Sequence, residues 1–224
     1  MIWEKSGEIP QVGSGNDILV VYGNHNPAGL AVMNQILTEE ELAFANRFKV
    51  VVQKNTWISC RMTLRLILGT YLQLNPKAVE FKKNRFGRLS LANSRMFFNV
   101  SHTESSFLLG FSFDGRIGLD LDKLKTEEDL NLLTGFAFSD QETEYCRSGN
   151  LSDRFLEIWT LKEAFLKAAG VGLVDDLKAV NVYGEANNQL KMKDLTHSTF
   201  KCPNGETASL VYRKNREIRP VWLC

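Results

Sequence analysis

Laid over itself at an offset of 102 residues, the sequence repeats: Trp57-x3-Arg61-x3-Arg65 matches Trp159-x3-Glu163-x3-Lys167. "TESSFLLGF" from residue 103 faces "GETASLVYR" from 205 at the same offset, and "KAVEF" at 77 faces "KAVNV" at 178, shifted by one. Three segments in nearly one register read as an internal duplication, with chance similarity between two amphipathic helices as the alternative. Duplication restricts the chain to two copies of one small unit. The expected fold is α+β: two similar halves related by a pseudo-twofold axis, each a small, mostly antiparallel sheet packed with a long helix. The halves divide as 1–114 and 115–224, tightly associated, and their junction is where a ligand cleft is expected.

Local signals fill in the units. "NDILVVYG" is an apolar run ending in Gly and reads as a buried strand. Thr38 followed three residues later by Glu41, and Ser139 followed by Glu142, are capping-box patterns that start helices. "WISCRMTLRLILGTYLQLNP" (57–76) has helical apolar spacing and stops before Pro76, and "IWTLKEAFLKAAG" (158–170) is a helix closed by Gly170. "KAVEF", "RMFFNV", "KAVNVYG", "QLKM" and "ASLVYR" read as strands, and "FLLGFSF" and "RIGLDLD" flank Asp114-Gly115, a two-residue hairpin signal.

Composition narrows the class. Apolar residues at 44% and charged residues at 24% set aside disordered and collagen-like chains. A net charge of +1 gives no global attraction to nucleic acid, so any anionic partner must be recognised locally. Four widely spaced cysteines without a Cys-x-x-Cys pair suit a reducing, cytoplasmic interior. The acidic N-terminal stretch is unlike a signal peptide, and no apolar run approaches the ~18 residues of a membrane span.

Function is sought where the two halves differ. Ile18 and Val20 of the first strand face Asp120 and Asp122 of "RIGLDLDKL", and strand alternation puts both carboxylates on one face. Two such carboxylates, with a third from a helix, suit a hard divalent ion such as magnesium; the alternative is the solvent side of an edge strand. Glu163 and Lys167, one helical turn apart, are either chemistry or a surface ion pair worth ~0.2–0.5 kcal/mol. "FNVSHT" places Ser101 and His102 after an apolar strand, where they can hold a phosphate or serve structure. "KKNRFGRL" surrounds Gly87 with Lys83, Arg85 and Arg88, either a basic lip for a polyanion or a solvated loop.

Taken in order, "FNVSHT", "IGLDLD" and "WTLKEAFLK" resemble the three signature motifs of the 4'-phosphopantetheinyl transferases, in the larger surfactin-synthetase type whose single chain holds both halves. The resemblance covers most of the chain. It implies magnesium-dependent transfer of the phosphopantetheine arm of coenzyme A to a serine of an apo carrier protein, releasing adenosine 3',5'-bisphosphate. By position it implies Asp120, Asp122 and Glu163 as metal ligands, Glu163 also as base for the carrier serine, and Lys167 as stabiliser of pyrophosphate charge. Ser101 and His102 would hold phosphates. Phe86, Gly87 and Arg88 match the family's nucleotide-binding turn, Lys83 beside it is a further expected coenzyme contact, and Arg47 stands in for the basic residues of its first helix. Asp122 replaces the more usual Glu, one methylene longer, and is expected to reach the ion through water; Leu89 replaces the turn proline. Residues 125–157 are expected to help receive the carrier, with Phe136 and Phe138 either apolar contacts or core. Acyl, peptidyl and aryl carriers stay open, nucleic acid and membrane are not expected partners, and a monomer is the default. Two other readings stand beside transfer: a non-catalytic homologue that binds coenzyme A or a carrier, and a magnesium-dependent phosphodiesterase.

Overall fold

The computed structural model describes residues 1–224 apart from 14–16, 26, 93, 114, 124–125, 173 and 185–193. In chain order the elements are β1 (Glu4–Ser6), β2 (Ile18–Asn24), α1 (Met33–Ile36), α2 (Glu39–Ala45), α3 (Val51–Leu72), β3 (Phe81–Lys83), β4 (Leu89–Leu91), β5 (Phe97–His102) and β6 (Ser106–Ser112). They continue as β7 (Gly118–Asp122), α4 (Glu127–Ala137), α5 (Asp140–Arg147), α6 (Leu151–Ala169), β8 (Leu195–Lys201), β9 (Thr207–Arg213) and β10 (Ile218–Leu223). The fold is mixed α+β, and the chain divides into two units: Met1–Gly115 with Arg216–Cys224, and Arg116–Asn215. The C-terminal strand thus belongs to the first unit, where the sequence reading placed it in the second half.

In the first unit the sheet runs β1-β10-β2-β6-β5. β1, β10 and β2 pair in parallel, so this sheet is mixed rather than mostly antiparallel. β5 and β6 are joined by a tight hairpin and so pair antiparallel, whereas β10 enters next to β2 from far along the chain and is free of that restriction. Alternate residues Leu19, Val21, Leu109 and Phe111 form one core with Cys60, Leu64, Ile67 and Leu68, which recur at helical spacing on α3. α3 begins six residues before the expected start, because its N-cap is Val50 and supplies no capping side chain for the sequence to reveal.

The second unit has a three-stranded antiparallel sheet in the order β7-β9-β8. Here α6 buries Phe155, Leu156, Ile158 and Leu166 with Val211 of β9 and Phe138 and Cys146 of the preceding segment. Each unit therefore repeats one plan: a strand, a long helix, then an antiparallel pair whose second strand lies centrally. The hairpin expected at residues 114–115 does not form. Asp114 lies outside the described residues, and the flanking strands β6 and β7 belong to different sheets. Both long edges of β6 are already taken by β2 and β5. "QLKM" also lies outside the described residues.

Both capping boxes form, at Thr38–Glu41 and Ser139–Glu142, and each capping glutamate does a second job. Glu142 Oε2 accepts from the Ser139 N–H at 2.8 Å and from Lys162 Nζ at 2.8 Å, while Oε1 accepts from the Val182 N–H at 2.9 Å. Lys162 also donates to the carbonyls of Leu177 (2.9 Å) and Val180. The pair is fully enclosed, at 1% and 0% side-chain exposure. In the first unit Arg65 donates to Glu41 at 2.7 Å and to the carbonyls of Pro76 (2.7 Å), Lys77 (3.2 Å) and Val79 (3.0 Å). Each clamp secures the chain after its long helix. This explains two corrections: residues 178–184 form no strand and "KAVEF" is strand only from Phe81, since side chains take the backbone groups that a ladder would use.

Removing one partner leaves the other charge buried, so Glu142→Ala should lower the unfolding free energy by ~3–5 kcal/mol in urea titration. Burial pushes the Cys60 thiol up to about 12, the Cys146 thiol up to about 11, and raises Cys202 further. A thiol reagent at pH 8 should therefore find Cys224 alone in the native protein and all four cysteines after denaturation. The native state keeps thiol protons that the unfolded chain sheds, so stability should fall as pH rises from about 9 towards 11.

Candidate active site

Gly118 determines how β7 meets α6. A Cβ at this position would lie 1.9 Å from the Ala164 carbonyl oxygen and 2.4 Å from the Ala168 nitrogen, so strand and helix backbones touch here as only glycine allows. Asp120 is two residues on and shares that face. It therefore points towards α6 rather than into solvent, and Lys167 Nζ meets its Oδ1 at 2.6 Å. Asp120 is buried and Lys167 half-buried. An ion pair so placed is screened far less than one on an open surface.

Glu163 lies one turn before Lys167 on the same side of α6 and is half-buried. Opposite Asp120 in the ladder sits Ser209, whose hydroxyl shares hydrogen bonds of 2.8 Å with Thr160 of α6 and 2.8 Å with Thr199 of β8. This buried hydroxyl row ties the helix to two strands beside the Asp120–Lys167 ion pair. Asp122 ends β7, half-buried, with Oδ1 accepting from the Lys123 N–H at 2.8 Å.

Magnesium takes oxygen ligands and usually keeps several waters, relying on one or two carboxylates plus substrate phosphates. Asp120 and Glu163 supply hard oxygen donors of that kind. No cluster of three or more ligating side chains occurs among the described residues, so an all-protein cage is not built. The donor set fits a magnesium ion that completes its shell with phosphate and water.

The remaining expected residues lie in the first unit on three separate elements. Ser101 is buried and His102 exposed at the end of β5. The following turn is held by Thr103 and anchored to α3, where the Thr56 hydroxyl donates to the Glu104 carbonyl at 2.8 Å. Lys83 ends β3, exposed. Asn84 Oδ1 then accepts from the N–H groups of Phe86 (3.0 Å) and Arg88 (2.9 Å), with Gly87 at φ 80°, and so pre-shapes the Phe86-Gly87-Arg88 turn. Arg47 follows α2, exposed, with its guanidinium over the Phe44 ring.

Sequence reasoning passed over Gly118, Thr56, Asn84 and Lys162 as working parts. The first had a readable signal, a glycine inside a strand, and Asn84 had another, an Asn three residues before a Gly. Lys162, inside "WTLKEAFLK", points into the core and not toward Asp120.

Residues 116–215 match the family described as the 4'-phosphopantetheinyl transferase superfamily. The second unit is similar to that superfamily throughout its length. Its bounds coincide with the match, so the superfamily region is one folded body. The chain is 37% identical over 146 residues to the 4'-phosphopantetheinyl transferase HetI of Nostoc sp. strain PCC 7120, covering 61% of this chain and 61% of that protein. It is 30% identical over 162 residues to the L-aminoadipate-semialdehyde dehydrogenase-phosphopantetheinyl transferase of Candida glabrata, covering 65% of this chain and 62% of that protein. The chain spans about three fifths of the length of the curated relatives it matches.

Gly118→Ala should force β7 and α6 apart. The expected cost is about 3 kcal/mol in urea titration, together with loss of the Asp120–Lys167 contact. Gly135→Ala on α4, where the added methyl meets nothing within 4 Å, should instead stabilise by ~0.5–1 kcal/mol.

Proposed function

We propose that the chain transfers the 4'-phosphopantetheine arm of coenzyme A to a serine hydroxyl of an apo carrier protein. The observation that carries this reading is the Asp120–Lys167 pair joining β7 to α6, with Glu163 one turn away, inside the segment that matches the transferase superfamily. Transfer forms a bond from the serine oxygen to the β-phosphorus of coenzyme A and breaks that phosphorus's bond to the bridging oxygen. Adenosine 3',5'-bisphosphate leaves, and the serine proton passes to a base. Glu163 is the base in this proposal, a carboxylate next to a fixed cation rather than an isolated one. Lys167, held in place by Asp120, adds positive charge where the pyrophosphate oxygens gain negative charge. Magnesium bound by Asp120 and Glu163 would neutralise the pyrophosphate and act as a Lewis acid. Asp122 is the weaker ligand in this proposal, one methylene shorter than the Glu usual at this position and reaching the ion through water. Coenzyme contacts by Ser101, His102, Lys83, Phe86, Gly87, Arg88 and Arg47 belong to the same proposal.

The exposed face of α4 supports a carrier-docking role. Leu132 and Phe136 are 74% and 65% exposed, four residues apart on one helix. Phe138, the other aromatic considered for this role, is core: it is buried and stacks on Phe155 at 5.0 Å. Four unpaired cysteines suit a reducing cytoplasm, and no described helix is long and apolar enough to cross a membrane.

The test is intact-mass spectrometry of apo carriers incubated with the protein, coenzyme A and magnesium. A phosphopantetheine mass gain on a carrier, abolished by EDTA and reduced ~10²–10⁴-fold by Glu163→Gln, is the expected result. Phosphopantetheine released free would point to hydrolysis instead. Coenzyme A binding with no modified carrier would favour the binding homologue.

A further inference from the structure

We propose that Lys162, clamped by Glu142, is a positioning residue for Glu163: the buried pair sets the rotation of α6 and so where the next side chain presents its carboxylate. The inference rests on the transfer reading above. Every N–H of the Lys162 ammonium has an acceptor, namely Glu142, the Leu177 carbonyl and the Val180 carbonyl. Glu142 in turn holds the start of α5 through Ser139 and the segment after α6 through Val182. Three stretches of chain therefore meet at one point on α6, immediately beside Glu163. On another face, Ala164 and Ala168 press against Gly118, and Lys167 reaches Asp120. These two attachments act at different angles around α6 and add to the Thr160–Ser209 bond in fixing its rotation. Residues 162 and 163 are ~100° apart around the axis, so turning α6 about Gly118 would change the direction in which Glu163 presents its carboxylate.

The first unit contains a similar clamp with no catalytic carboxylate beside it, so the device fixes a long helix in both units and in the second also sets the side chain next to it. Arg65 takes the equivalent acceptors there, a capping glutamate and the carbonyls after the helix. A hydrophobic filling of similar volume is often as stable as a buried ion pair, so cohesion alone does not call for charge. A directional, saturated cation fixes one rotation.

The experiment compares wild type, Lys162→Arg and the uncharged double variant Glu142→Gln/Lys162→Met. Thermal melts first establish the temperature range in which each is folded. Within it, the double variant should lose about 100-fold in kcat, the scale expected for a misplaced catalytic group, with the KM for coenzyme A within about 2-fold of wild type. Lys162→Arg, which keeps the cation and its acceptors, should retain most of kcat. The 13C-carboxyl resonance of Glu163 reads its position without transfer and should move in the double variant but stay in Lys162→Arg. An unchanged kcat and an unchanged resonance in the folded double variant would overturn the proposal. If the double variant does not fold, Glu142→Gln alone is read by the same two measures. Absence of transfer by wild type would sink the transferase reading, and the resonance would still decide the positioning.

Discussion

Taking an ammonium and a carboxylate out of water costs several kcal/mol per ion, and in the second unit Glu142 and Lys162 recover it by engaging both carboxylate oxygens and all three ammonium N–H groups. That requirement organises the unit. It fixes the start of α5, because the glutamate must also cap Ser139. It fixes the chain after α6, because two carbonyls must face the lysine. It leaves α6 with one rotation, in which Ala164 and Ala168 meet Gly118 and Lys167 meets Asp120.

Chemistry then occupies what the packing leaves over. β7 approaches α6 at backbone contact, and the next residue on the same face of the strand is an acid within reach of a helix lysine. The sequence reading offered a solvent-facing edge strand as the alternative for Asp120. β7 is an edge strand of its sheet, yet the face bearing Asp120 is covered by the helix. Edge position and solvent exposure are separate properties, and α6 makes them differ here.

Much of this was legible because it depends on short-range chemistry. Thr38–Glu41 and Ser139–Glu142 announce helix starts by themselves, and Gly170 announces an end by its left-handed backbone. α3 hid its start, since Val50 offers no capping oxygen. The strand readings at "KAVEF" and "KAVNVYG" failed for a non-local reason: apolar β-branched runs suit a strand, but Arg65 and Lys162 arrive from elsewhere in the chain and claim the carbonyls. The same limit applied to the site. Spacing placed Glu163 and Lys167 on one face, while the partner of Lys167 lay 47 residues away, and only the fold identifies Asp120 as that partner.

β10 lies between β1 and β2, although the whole second unit separates it in sequence from the rest of its sheet. During synthesis β1 has no neighbour, and β2 has one open edge, until residues 218–223 emerge. The first unit to begin is therefore the last to be finished, and the second can complete its own sheet while the first is still missing an internal strand. A chain stopped shortly before residue 218 would keep all the residues of the matched region yet lose the join between β1 and β2, so the damage would fall on strands at the opposite end of the sequence from the cut.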